Sequence, residues 1–119
     1  METLAHHMMS KYEQRVMRKI ARTFPERYKK DGHEKMLLFI QAGILKAEKY
    51  AIDEDDDVEL FILLLVQYGM DFEKKPEMSR CRKILVDEDL PADAKVTLLC
   101  NELDFDPKDV KQKQNRGGI

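Results

Sequence analysis

The sequence predicts an all-α fold: a single-domain bundle of about five to six helices around a central apolar helix at about residues 56–68. Three observations carry this expectation. Apolar residues recur every three to four positions along almost the whole chain. Glycine (5) and proline (4) are scarce in 119 residues, which disfavours a turn-rich β-sandwich and leaves no long linker. Hydrophobic residues make up 43% of the chain, enough for one core at this length. The expected domain is therefore residues 1–114, with 115–119 as a fraying tail.

The first expected helix covers about residues 2–23. Leu4, Met8, Tyr12, Val16, Ile20 and Phe24 step by four, and Ala5, Met9, Met17 and Ala21 widen the stripe. Lys11, Arg15, Arg18, Lys19 and Arg22 take the other faces. Met9-Ser10 is an alternative start, which would make the preceding residues a leader or remnant. Pro25 stops the helix. Thr23 is placed to cap a short helical turn with Pro25 near its first position, and Asp31-Gly32 then breaks the chain.

The second long helix runs from His33 to Tyr50. Met36, Leu37, Ile40, Ile44, Leu45 and Ala47 form its buried stripe, and Leu38 and Phe39 broaden it, so cover on more than one side is expected. Next comes Asp53-Glu54-Asp55-Asp56-Asp57, whose carboxylates suit the free N–H groups and positive dipole end of a following helix. That helix holds Val58 and the continuous apolar run 60–66. The same run fits a buried strand locally. Helical neighbours and the Tyr68-Gly69 stop favour the central helix.

Asp71 to Lys75 is a polar connector. Pro76 opens a fourth helix, about 76–86, with Met78, Cys81, Ile84 and Leu85 inward. A fifth, about 91–103, carries Ala92, Val96, Leu99, Cys100 and Leu103 inward. Asp106-Pro107-Lys108-Asp109 reads as the start of a short last helix reaching about residue 114.

Formal net charge is −2, but the total hides a split. Residues 1–52 hold 11 basic and 6 acidic residues, a net of +5; residues 53–119 hold 10 and 17, a net of −7. The longest apolar run is far short of the roughly 20 residues that cross a bilayer, and no basic-then-apolar signal segment is visible. Two cysteines, outside any Cys-x-x-Cys motif, fit a reduced cytoplasmic protein. Core packing is the expected role of both.

Motifs for chemistry are incomplete. Asp53, Asp55 and Asp57 begin like a calcium loop, but Val58 replaces the turn glycine and Leu64 replaces the bidentate carboxylate. His33-Glu34-Lys35-Met36-Leu37 lacks the second histidine of a zinc motif. His6 and His7 are adjacent and diverge on a helix. Ser10 and Ser79 lie in no nucleophile elbow, and no glycine cluster forms a phosphate loop. The expectation is a protein that is not an enzyme, with no metal and no cofactor. The basic face of Arg15, Arg18, Lys19 and Arg22, followed by Arg27, Lys29 and Lys30, suits nucleic acid in sign. It carries few aromatics, and the acidic half repels phosphate, so nucleic acid is not the expected partner. A meeting of this face with the acidic run, within one chain or between copies, is an equal alternative, and a homo-oligomer is one form it would take.

An apolar helix followed by Tyr68-Gly69-Met70-Asp71-Phe72, a proline-opened helix ending in Ile84-Leu85, then Asp89-Leu90-Pro91-Ala92-Asp93-Ala94-Lys95 and Leu98-Leu99, form an ordered pattern over about residues 36–103. This pattern resembles a family of small bacterial proteins encoded beside type VI secretion and related contractile-injection genes. The chain departs from it in being richer in lysine and in having Met78-Ser79-Arg80-Cys81 where the family has an aromatic before Ile-Leu. The resemblance implies a non-enzymatic partner-binding protein. Its expected role is an immunity protein neutralising a co-encoded secreted toxin, or else an adaptor or chaperone that loads a secreted effector. A small DNA-binding regulatory module using the first helix is the remaining alternative. The resemblance implies that Asp53, Asp55, Asp56, Asp57, Asp71 and Glu73 meet a basic partner face. Phe72 beside them is either an apolar anchor or a core plug under the turn.

Overall fold

The computed structural model describes residues 9–109. The expectations for residues 2–8 and 110–119, the end of the short last helix and the tail among them, lie outside the described residues. Within them the chain forms five α-helices and no strand, an all-α single domain.

Helix α1 is Lys11–Thr23. It begins later than expected because Ser10 is extended (φ −70°, ψ 161°) and closes a capping box. The Ser10 hydroxyl accepts from the Glu13 N–H at 3.0 Å, and the Glu13 carboxylate accepts from the Ser10 N–H at 2.9 Å. Val16, Met17 and Ile20 are buried as the spacing requires. Thr23 does not cap the next helix; it is the last residue of α1, and Phe24 is the hinge.

Helix α2 is Pro25–Lys49, with proline in its first turn, where the missing N–H costs nothing. Gly32 divides it at φ 86°, ψ 166°, a conformation open essentially to glycine alone. The expected break at Asp31-Gly32 is thus a kink. The second arm buries Met36, Leu37, Ile40, Gly43 and Ala47. It is covered on one side only: Leu38 and Leu45, both expected inside, are each 67% exposed.

Helix α3, Asp55–Tyr68, is the centre. Residues 61–66 are all buried, and Val58 with them, so helix rather than strand holds for the apolar run. It packs on α1 and α2, and a Cβ placed at Gly43 of α2 would lie 3.0 Å from Ile62 Cγ1, so glycine is what lets the two backbones approach. Gly69 ends α3 at φ 106°, its N–H donating to the Leu65 carbonyl at 2.8 Å.

Two 3₁₀ turns follow, Phe72–Lys74 and Pro76–Met78, then α4 (Ser79–Val86) and α5 (Ala92–Leu103). The expected fourth helix is therefore a 3₁₀ turn followed by an α-helix. Helix α5 packs on α3 and α4. Asp104 takes the left-handed conformation after α5 (φ 52°), which folds Phe105 back so that its ring meets Tyr68 edge-on at 6.1 Å. A 3₁₀ turn, Pro107–Asp109, closes the described chain.

Nothing lies within 4 Å of a Cβ placed at Gly69, so its backbone angle alone demands glycine. Gly69→Ala should cost about 1–3 kcal/mol in urea unfolding while keeping helical circular dichroism.

Candidate functional site

The seven sequence-predicted residues lie in the acidic run and in the turn after α3. Asp53, Glu54, Asp55 and Asp56 are exposed and Asp57 is half-buried. Asp55, Asp56 and Asp57 form the first turn of α3, where the helix N–H groups favour negative charge. Helix α1 is fastened to this end. Tyr12 O–H donates to the Asp55 carbonyl at 2.8 Å, and the Arg15 guanidinium bonds Asp56 and Glu59, the latter at 3.2 Å. These carboxylates hold Arg15 firmly protonated, and burial with the nearby acids pushes the Tyr12 hydroxyl well above its usual range.

Arg15 and Asp53 to Asp57 line one surface depression. Burial and repulsion from Asp93, Glu54, Asp56 and Asp53 raise the Asp57 carboxyl above the ordinary aspartate range. The fold thus holds like charges together at a cost, and α5 adds Asp93 to the same field.

The turn is arranged differently. Asp71 is exposed, near Lys74 at 3.7 Å and Lys46 at 3.9 Å. Phe72 and Glu73 are not presented to a partner: Phe72 is fully buried and Glu73 is 3% exposed. Phe72 is the core plug, with the Lys46 ammonium 5.9 Å from its ring centre. Glu73 accepts from Lys46 Nζ at 2.7 Å and from the Tyr50 hydroxyl at 3.2 Å, while Lys46 also donates to the Met70 carbonyl. Lys95 of α5, 4% exposed, donates to the Tyr50 carbonyl at 2.9 Å. The seven sequence-predicted residues are therefore not one surface. The run precedes and opens α3, the turn follows it, and 14 residues of helix span about 20 Å between. The two groups line separate depressions.

Lys46, Tyr50 and Lys95 were not among the predicted residues. Lys95 carried the only signal, as the lysine that ends the Leu90 to Lys95 stretch of an otherwise apolar-patterned helix. Glu59, immediately before the apolar run, carried no signal of its own.

The basic face is partly used inside the chain. Arg15 meets the acidic run, which is the intramolecular alternative. Arg27 bonds Asp31 at 2.6 Å and the Val66 carbonyl at 3.1 Å, lying over Phe39. Arg18 and Arg22 remain exposed. Cys81 is buried and Cys100 half-buried. Burial raises both thiols, Cys100 to about 11, so at neutral pH neither is a thiolate nucleophile. Among the described residues no group of three His, Cys, Asp or Glu side chains is placed to hold a metal, and no helix is long and apolar enough to cross a membrane.

Compared with protein-family models, curated proteins and solved structures, the chain matches none of them.

Two outcomes are expected. Removing one partner of a buried ion pair strands the other, so Glu73→Leu should cost about 3–5 kcal/mol, and Lys46→Met combined with it should recover most of that loss in chemical unfolding. Asp57 should titrate by NMR above the ordinary aspartate range, and Asp93→Asn should lower it. Because a raised carboxyl costs stability when ionised, the stability gained by Asp57→Asn at neutral pH should shrink as pH falls through the folded pKa towards the unfolded one.

Proposed function

We propose that this protein acts by binding another protein, and that the acidic end of α3 receives a cationic face of that partner. The carrying observation is the crowding of Asp53, Glu54, Asp55, Asp56, Asp57 and Asp93 around one exposed helix start, with the Asp57 carboxyl raised by the repulsion. A cationic partner would relieve that repulsion, so part of the binding free energy is already stored in the free protein. Arg15 holds the Asp56 carboxylate and Tyr12 the Asp55 carbonyl, so the backbone of the helix start is fixed from α1 before a partner binds.

The finer reading is an immunity protein that neutralises a co-encoded secreted toxin. It rests on the resemblance across residues 36–103 and on the usefulness of a single-sign field for fast capture. Phe72 and Glu73 belong to the scaffold in this reading, and Asp71 to its surface.

Co-expression with the products of the genes on either side, followed by affinity purification, should yield a stoichiometric complex. Asp53→Lys combined with Asp55→Lys should slow association at least about tenfold, with circular dichroism unchanged, and raising salt should slow the wild-type association in the same sense. Association that is indifferent to both changes would remove the acidic end from the binding surface.

A further inference from the structure

Leu38 and Leu45 stand exposed on the outer side of α2, with the exposed Ala42 between them. Seven residues are close to two helical turns, so the leucines lie almost one above the other. Their water-facing stripe contrasts with five buried residues on the opposite side of the same helix.

The charges beside the stripe are sorted by side. At about 100° per residue, Lys35, Ala42 and Lys49 fall to one side of the Leu38–Leu45 line, and Glu34, Gln41 and Glu48 to the other. Neighbouring elements extend both edges. Gln41 Nε2 donates to Glu13 of α1 at 3.2 Å, which adds a carboxylate to the acidic edge. Lys74, after α3, borders a depression with Ala42, Leu45 and Lys49 on the basic edge. Asp71 lies there too, balanced by Lys74 and Lys46.

We propose that this face is the seam of a homodimer in which the α2 helices of two copies pack in parallel, Leu38 on Leu38 and Leu45 on Leu45. Charge selects both the occupant and the direction. A two-fold axis along the helices lays the basic edge of one copy on the acidic edge of the other, so Lys49 meets Glu48 and Lys35 meets Glu34 of the second copy, each twice. An axis across the helices gives an antiparallel pair and sets lysine on lysine and glutamate on glutamate. Ala42 is small enough for the two helices to close over the seam. One such seam is a small interface, so the dimer should form in the range of about 10–100 μM. This surface is separate from the acidic end of α3, and the proposal stands or falls independently of it.

Sedimentation equilibrium up to about 500 μM should show reversible dimerisation of the wild-type chain. Leu38→Lys with Leu45→Lys should give a monomer with unchanged circular dichroism, because neither side chain supports the core. A wild-type chain that stays monomeric assigns the stripe to some other protein and overturns the proposal, as does a dimer that survives the double substitution. Glu48→Lys and Lys49→Glu should each weaken the dimer several-fold, and an equimolar mixture of the two should recover it, since unlike charges then meet at both sites. A mixture no tighter than either variant contradicts the seam. Mild oxidation of Leu38→Cys alone should link two copies, with the wild-type chain as control for Cys81 and Cys100. Linkage that requires mixing Leu38→Cys with Leu45→Cys overturns the parallel arrangement.

Discussion

The structure depends on one constraint: α3 has no face for water between Phe61 and Val66. Six consecutive residues point in all directions around a helix, so neighbours must enclose it completely. Helices α1, α2 and α5 pack against it, and Phe72 and Phe105 join the same core. Gly43 sets how closely α2 approaches, because a Cβ there would press on Ile62. The same constraint places the charge. A helix that must be apolar all round can carry carboxylates only where it emerges, and it emerges at Asp55 to Asp57, where the helix dipole favours them. The acidic end is thus a consequence of a fully buried centre, sharpened by Asp53, Glu54 and Asp93 beyond what capping requires.

The enclosure is closed on one side by polar groups. Lys46 of α2 reaches the turn after α3, binds the Met70 carbonyl and the Glu73 carboxylate, and lies over Phe72. Tyr50 gives the other Glu73 oxygen a partner, and Lys95 ties the Tyr50 carbonyl to α5. Every buried side-chain polar atom among the described residues has a partner, so this network fixes where the turn sits without leaving a charge stranded. Gly69 supplies the backbone angle, Phe72 the plug and Lys95 the tie. These are residues of the pattern on which the resemblance rests, and each has a structural task.

What the residues disclosed and concealed divides along the same line. Period, breaks and the central helix were legible, because Pro25, Gly32 and Gly69 punctuate the chain through local backbone chemistry and the 60–66 run has no polar side. The start of α1 was also written, in Ser10-x-x-Glu13, a capping box outweighed by an apolar stripe that continues through it. Which side of α2 is covered was not written. Leu38 and Leu45 extend the stripe as well as Ile40 does, and periodicity reports a helix face without reporting what lies opposite. The buried ion pair was concealed for the converse reason: Lys46 and Glu73 read as surface residues, and only the tertiary path of the turn brings them together, with long aliphatic stems crossing apolar ground before the charges meet. Of the candidate residues, Asp53, Asp55, Asp56 and Asp71 are exposed while Phe72 and Glu73 are buried, because a connector that looks polar in sequence is drawn under the fold by its single aromatic.

The near-neutral total charge is distributed into two surfaces with opposite electrostatic logic. The end of α3 gathers one sign, with Arg15 as its internal counter-charge, and such a field reaches outward and speeds the approach of an oppositely charged molecule. The outer face of α2 carries both signs in separate rows, which nearly cancel at a distance and act only at contact, where register decides the outcome. A single-sign surface cannot serve self-association, because two copies repel through it. A sorted, apolar-centred surface can, because rotation by half a turn about the helix direction makes it its own complement. Pairing through α2 also leaves the acidic ends out of the seam. Two copies can therefore share one face while each keeps its charged end free for a different molecule.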